Sequence, residues 1–352
     1  MIPVCHPDAF REDEEVLSKY RIIKGLKSGA HGSVYLAYNF IADRQVALKK
    51  IPINGEHEYS RIIESRAQSL CDHRNVVKFY SGDVAERNNK SFLLIEMEYI
   101  PEGSLADRIE CEFVPVVDSV GYIKDVLFAL ERANSLGIIH RDVKPANIML
   151  SRPNAKLSDF GVAYDMNLGM EVLPNRFYLP HGSPEAISGD NFGPQSDVFC
   201  SGVALFSAVN NISGISGIVN ARISDADFWS AVKAGSLINK IGFEKYVPNK
   251  VRRIISTACA IDLGVRYKVC REFRNALERI RFKNDWVPTS SDQTQWRSSL
   301  DKGSEIVISG TKRYTVDLVV GGRRVRPRQT QHDLLSDAKA AVLKLVRDTT
   351  AE

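Results

Sequence analysis

His140-Arg141-Asp142-Val143-Lys144-Pro145-Ala146-Asn147, followed after a short apolar run by Asp159-Phe160-Gly161, is the stretch of this 352-residue chain whose reading decides the fold. Gly137-Ile138-Ile139 and Ile148-Met149-Leu150 flank the polar loop. They predict a loop held between packed elements with only its charged tips exposed. Asp142 would accept the proton of an incoming hydroxyl. Lys144, two residues on, would set its ammonium against a transferring phosphoryl group, and Asn147 would turn an amide oxygen to a magnesium ion. Asp159 supplies a second acid for the metal. A base, a cation and two metal ligands are most of what phosphoryl transfer asks of a protein, because its loose transition state is stabilised by positioning and charge neutralisation. The same residue types also populate solvated turns, so the motifs need their context.

Taken together and in this order, the two motifs resemble the catalytic and metal-binding loops of the eukaryotic-like (Hanks-type) protein kinase superfamily. Lys144, two residues past Asp142, resembles its serine/threonine branch. The resemblance implies an α+β, bilobal fold, with a small antiparallel β-rich N-lobe over a large helical C-lobe. It also implies ATP with Mg²⁺ (or Mn²⁺) as cofactors and serine/threonine hydroxyls of protein substrates as acceptors.

Leu26 to Leu36 reads as strand, glycine turn, strand, in which Gly29, Ala30 and Gly32 let the backbone approach phosphates closely. Val46-Ala47-Leu48-Lys49 resembles the third-strand lysine motif, which makes Lys49 the ligand of the α- and β-phosphates. By the same resemblance Glu64 on the following helix holds Lys49 in register, with Glu58 as its competitor. Ser91 to Leu105 is an apolar strand running into a Pro/Gly loop and resembles the fifth strand and interlobe hinge. Met97 would then stand beside the adenine pocket and the backbones of Glu98 and Ile100 would meet the adenine edge. Val34, Ala47 and Met149 would close over the faces of the base, though all of these apolar residues also suit a core.

Ser183-Pro184-Glu185 stands where the family ends its activation segment, and Asp197 would open the buried helix behind the catalytic loop. Arg266 is expected to pair with Glu185. Phe160 and Gly161 complete the metal-loop motif. Between Asp159 and Ser183 there is no serine or threonine. A phosphothreonine paired with Arg141 therefore has no acceptor here. Either Asp165 or Glu171 holds Arg141, or Tyr164 or Tyr178 is modified. Tyr178 also falls near the position where serine/threonine kinases place a threonine that orients the catalytic Asp and Lys.

The organisation expected is an N-terminal extension (1–19), a kinase domain (20–282, its lobes meeting near 98/99), a linker (283–300) and a small basic β-hairpin plus helix module (301–352). In that module Tyr314, Val316, Leu318 and Val320 alternate as a strand face, Gly321-Gly322 offers the hairpin turn, and Ser336 would cap a helix. Arg323, Arg324, Arg326 and Arg328 invite docking of nucleic acid, ribosome or an acidic partner, or form a solvated edge kept from aggregating by its charges.

The net charge of +4 makes the whole chain no obvious nucleic-acid binder. With no long apolar run and with His6, Asp8 and Arg11 near the start, cytoplasmic residence is the default expectation. The six cysteines are scattered and read as reduced thiols, mostly core. Two other readings are carried: a pseudokinase scaffold, and a small-molecule phosphotransferase, whose relatives generally lack the Arg141, Lys144 and Ser183-Pro184-Glu185 set.

Overall fold

The computed structural model describes residues 9–29, 32–53, 69–160, 163–165, 170–171, 179–188, 193–213, 224–301 and 303–352. Its N-terminal part is an antiparallel six-stranded sheet of β1 (Glu15–Val16), β2 (Tyr20–Gly29), β3 (Gly32–Asn39), β4 (Arg44–Pro52), β5 (Phe79–Arg87) and β6 (Lys90–Glu98), in the order β1-β2-β3-β4-β6-β5. β4 and β6 are central, and their runs Val46 to Ile51 and Phe92 to Met97 are buried on both faces.

Side chains alternate along a strand, so neighbouring lysines of β4 serve opposite faces. Lys50 lies between the rings of Phe10 and Phe92, at 4.3 and 4.5 Å from their centroids. Lys49 points the other way, to Asp159. Phe10 belongs to the segment expected as a separate extension. It is instead buried on the outer face of the sheet with Val16, Tyr35, Leu48 and Phe92. Phe10 and Val16, with the pairing of β1 on β2, tie the segment down.

A short connection leads to a helical region. It comprises α1 (Leu105–Cys111), α2 (Val116–Ser135), α3 (Pro184–Ser188), α4 (Pro194–Val209), α5 (Asp225–Lys233), α6 (Leu237–Ile241), α7 (Asn249–Ala258) and α8 (Cys270–Glu278). α2 buries Val116, Val120, Ile123, Leu127 and Leu130 at helical spacing, and α4 is buried along its whole length from Ser196 to Val209. Between α2 and α3 lie the short strands β7 (Ile138–Ile139), β8 (Ile148–Ser151), β9 (Asn154–Leu157), β10 (Tyr164–Asp165) and β11 (Met170–Glu171). A β-rich sheet over a helical body is the two-lobed arrangement expected.

The C-terminal region is larger than a hairpin and helix. β12 (Trp286–Pro288), β13 (Gln295–Ser298), β14 (Ser304–Ser309), β15 (Tyr314–Val320), β16 (Arg323–Arg324) and β17 (Thr330–His332) form one antiparallel sheet, covered by α9 (Leu335–Thr350). Residues 283–300, expected as a linker, therefore carry two strands. The polar Thr289 to Asp292 run is only the turn between them, while Trp286 and Trp296 on either side are 3% and 1% exposed.

Trp296 packs against Phe113 and Tyr246 of the helical lobe, with ring centroids at 5.4 and 5.7 Å. A single apolar core thus runs through both. Ser336 is not the cap of α9. Leu334 holds that position without a side-chain hydrogen bond, and Ser336 lies in the first turn. Gly321 and Gly322 do make the β15–β16 turn, at φ 55° and 76°, values that favour glycine.

Candidate active site

The loop from His140 to Asn147 leaves β7 and enters β8 through a 3₁₀ turn (Pro145–Asn147). Its shape is imposed from beneath by α4. Asp197, fully buried, accepts hydrogen bonds from the backbone N–H groups of His140 (3.1 Å) and Arg141 (2.8 Å) and from Asn134 Nδ2 (2.9 Å). Burial pushes the Asp197 carboxyl up, against those N–H donors. The clamp explains why Arg141 stands at φ 68°, a left-handed conformation that costs a non-glycine residue about 1–2 kcal/mol.

Asp142 sits on the loop with one oxygen engaged and one open. Its Oδ2 meets Lys144 Nζ at 2.6 Å and Asn147 Nδ2 at 2.9 Å. Its Oδ1 is buried and has no hydrogen-bond partner among the described residues. Such an orphan acceptor costs about 1–3 kcal/mol. It persists here because Asn147 also bonds the Asp142 backbone carbonyl at 2.9 Å and so locks the side chain. With its Nδ2 committed to Asp142, Asn147 leaves its amide oxygen for a cation.

Asp159, at φ 65°, follows the β8–β9 hairpin. Phe160, 0% exposed, packs edge-on against the His140 ring at 4.7 Å, and His140 Nε2 lies 3.2 Å from the Ser158 carbonyl. The inward Phe160 aims Asp159 at Lys49, whose Nζ lies 2.8 Å from Asp159 Oδ1. Lys49, Asp142, Asn147 and Asp159, scattered over 110 residues, thus belong to one cleft between sheet and helical body. Among the described residues no group of three or more His, Cys, Asp or Glu could hold a metal. The donor pair Asn147 and Asp159 instead suits Mg²⁺, which is commonly held by one or two side chains and by substrate phosphates.

Above the cleft, Val34, Ala47, Met97, Ile100 and Met149 share one apolar cluster. The register sets Ala47 opposite Met97 and Val34 opposite Lys49. Gly32 closes the β2–β3 hairpin opposite Gly29 at φ 115°, where an added Cβ would lie 2.3 Å from the Lys50 carbonyl oxygen. Only glycine fits that approach. Ala30, Glu64, Glu58, Gly161 and Tyr178 lie outside the described residues, as do the side chains of Tyr164, Asp165 and Glu171. Backbone pairing nevertheless brings Asp165 opposite Ile138 and Tyr164 between Ile139 and Glu171, beside the strand that leads into Arg141.

Glu185 and Arg266 meet as expected in a forked pair, 2.7 and 3.2 Å, with the guanidinium wholly buried. Arg266 also donates to the carbonyls of Ala260 and Gln195, and Ser196 Oγ donates to Glu185. Burial opposes the Glu185 charge, but the Arg266 hydrogen bonds outweigh it and hold the carboxyl below its usual range.

Three features escaped sequence reasoning. Glu98 is ion-paired with Lys156 at 2.7 Å and Glu102 with Arg152 at 2.7 Å, which staples the connection between the lobes to the β8–β9 hairpin. His181 lies beside Lys144 in a cavity of about 180 Å³, where burial and then that ammonium push its imidazole down to about 3. Glu96, one residue before Met97, is a buried carboxylate taking hydrogen bonds from Tyr20, Asn39, Ser81 and Arg44. Only its charge within the apolar run Phe92 to Met97 hinted at it.

Comparison with known proteins gives the same picture. A family description, "Protein kinase domain", matches residues 20–275. The serine/threonine-protein kinase PknJ of Mycobacterium tuberculosis is 30% identical over 300 residues, covering 78% of this chain and 48% of that protein. The probable serine/threonine-protein kinase PknB of Lactococcus lactis is 29% identical over 259 residues (71% and 40%), and PrkC of Bacillus subtilis 27% over 270 (74% and 40%). The chain thus spans less than half the length of these relatives. Among the described residues no helix is long and apolar enough to cross a membrane. With the family description covering β2 to β6, nearly all of the helical lobe and the residues around Lys49, Asp142 and Asp159, the chain belongs to the protein kinase family.

Proposed function

We propose that the chain transfers the γ-phosphoryl group of ATP to serine or threonine hydroxyls of protein substrates, itself among the possible acceptors. The observation that carries this is Asp142: Oδ2 fixed by Lys144 and Asn147, Oδ1 buried and open among the described residues. A base must be oriented and must keep a lone pair for the proton it takes. Lys144 balances the charge on Asp142 and stands ready against the transferring group. Lys49 would bind the α- and β-phosphates, with Glu64 as its helix partner, and Gly29, Ala30 and Gly32 would let the backbone reach them. Val34, Ala47, Met97 and Met149 would enclose the adenine, with the backbones of Glu98 and Ile100 at its edge. Asn147 and Asp159 would hold Mg²⁺ or Mn²⁺, which when bound neutralises phosphate charge. With no serine or threonine from Phe160 to Gly182, Arg141 would be held by Asp165 or Glu171 without a phosphothreonine.

Incubation with labelled ATP, Mg²⁺ or Mn²⁺, and a generic protein substrate tests this, followed by phosphoamino-acid analysis. Phosphoserine or phosphothreonine is expected, and is lost in Lys49→Ala and Asp142→Ala. Nucleotide binding without transfer to self or substrate would replace the reading with that of a scaffold; phosphotyrosine alone would move the acceptor class.

A further inference from the structure

We propose that the C-terminal sheet-and-helix region captures an acidic, extended segment of a partner protein, laid along the outer edge of β17 in the groove between that edge and α9. None of the residues that line this groove belongs to the site around Asp142.

The groove encloses about 420 Å³ and has an apolar floor of Val316, Pro327, Ala340 and Leu345. β17 is bonded to β15 on one side, Thr330 to Val316 and His332 to Tyr314, and among the described residues its other edge pairs with no strand. Thr330 and Gln331 are exposed. An open edge beside an apolar trough is the geometry in which an added strand gains backbone hydrogen bonds while alternate side chains enter the trough.

Charge selects the occupant. Arg323 and Arg324 belong to β16, at the other end of β15, and Arg324 is drawn to the buried Asp317, 3.6 Å away, whose other oxygen takes Gln329 Nε2 at 2.6 Å. Arg328 and, across it on α9, Lys344 line the groove, and Arg326 stands in the short turn just before Arg328; all three are exposed and make no ion pair among the described residues. On the helix side Asp348 is tied to Arg347 at 2.8 Å, which leaves Asp337 as the acid facing this set. The surplus is cationic and complements spaced carboxylates.

A continuous phosphate backbone fits less well. The floor is apolar, and among the described residues no Phe, Tyr or Trp lines it to stack a base.

The test uses the full chain and a fluorescein-labelled peptide of alternating glutamate and valine, read by anisotropy. Saturable binding is expected that weakens with added salt. Arg326→Glu with Arg328→Glu should weaken it roughly tenfold or more, since two attractions become repulsions. Ala340→Glu, at a half-exposed helix position, should weaken it without altering the melting profile. Asp142→Ala should bind the peptide as the intact chain does. Absence of saturable binding at low salt, or binding that ignores both sets of charge changes, would overturn the proposal. So would tighter binding of duplex RNA or oligothymidylate than of the peptide, which would assign the surface to nucleic acid.

Discussion

At the scale of single residues, the site is governed by buried charges that each have a designated partner. Arg266 is the clearest case, because its guanidinium is wholly buried against Glu185. Arg266→Ala strands that carboxylate and should cost about 3–5 kcal/mol, read as a fall in the unfolding midpoint. Glu185→Gln with Arg266→Met should cost less than the two single changes summed. The pair also carries a pH signature. The Glu185 carboxyl is held below its usual range in the folded state. Its contribution is therefore in place above the ordinary carboxylate range and is lost as pH falls through the lowered value. The stability gap between the intact chain and Glu185→Gln should accordingly narrow on acidification, checked by thermal unfolding across acidic pH.

At the scale of elements, the sheet above the cleft is organised around Glu96. Its carboxylate gathers Tyr20 of β2, Asn39 of β3, Arg44 of β4 and Ser81 of β5, with Lys19 Nζ at 3.4 Å. Burial works against its charge, yet these donors hold the carboxyl below its usual range. Glu96→Ala should destabilise the chain by roughly 3 kcal/mol, since it leaves the buried donors Tyr20 and Asn39 around an empty site. Because the next residue is Met97, ATP affinity should fall as well, measured by calorimetric titration.

Elements differ in how much of them could be read from the sequence. The cleft residues were legible because phosphoryl transfer demands particular residue types at short spacing: Asp142, Lys144 and Asn147 sit within six positions. Glu96 was not, since its partners come from four other strands and only the folded sheet brings them together. Trp296 was hidden for a related reason. A strand of four residues between polar turns has too little alternation to register, and its partners Phe113 and Tyr246 lie far off in sequence.

At the scale of the whole molecule, the C-terminal region is part of the structural core. Trp296→Ala should cost about 3–5 kcal/mol and lower a single cooperative transition, seen by calorimetry, rather than melt the region separately. The junction is also pH-dependent. Asp285 Oδ1 accepts the Val117 N–H at 3.3 Å at the start of α2, where Pro115 offers no side-chain cap, and Ser299 Oγ donates to Oδ2 at 2.9 Å. Burial, with Asp118 nearby, pushes the Asp285 carboxyl up to about 6, despite Ser299, Val117 and Arg108. A raised carboxyl favours the folded state most below its unfolded value and loses that advantage as pH rises through 6. Asp285→Asn should therefore match the intact chain near pH 4 and exceed its melting temperature at pH 7.

Asp142 is the proposed base, and the measurement that reaches that proposal most directly is single-turnover phosphoryl transfer by the intact chain and by Asp142→Asn at saturating ATP and Mg²⁺. Asn keeps the shape of the side chain and removes its capacity to take a proton. The transfer rate should fall by about 10²–10⁴-fold with nucleotide affinity unchanged; equal rates in the two proteins would contradict the assignment of Asp142 as the base.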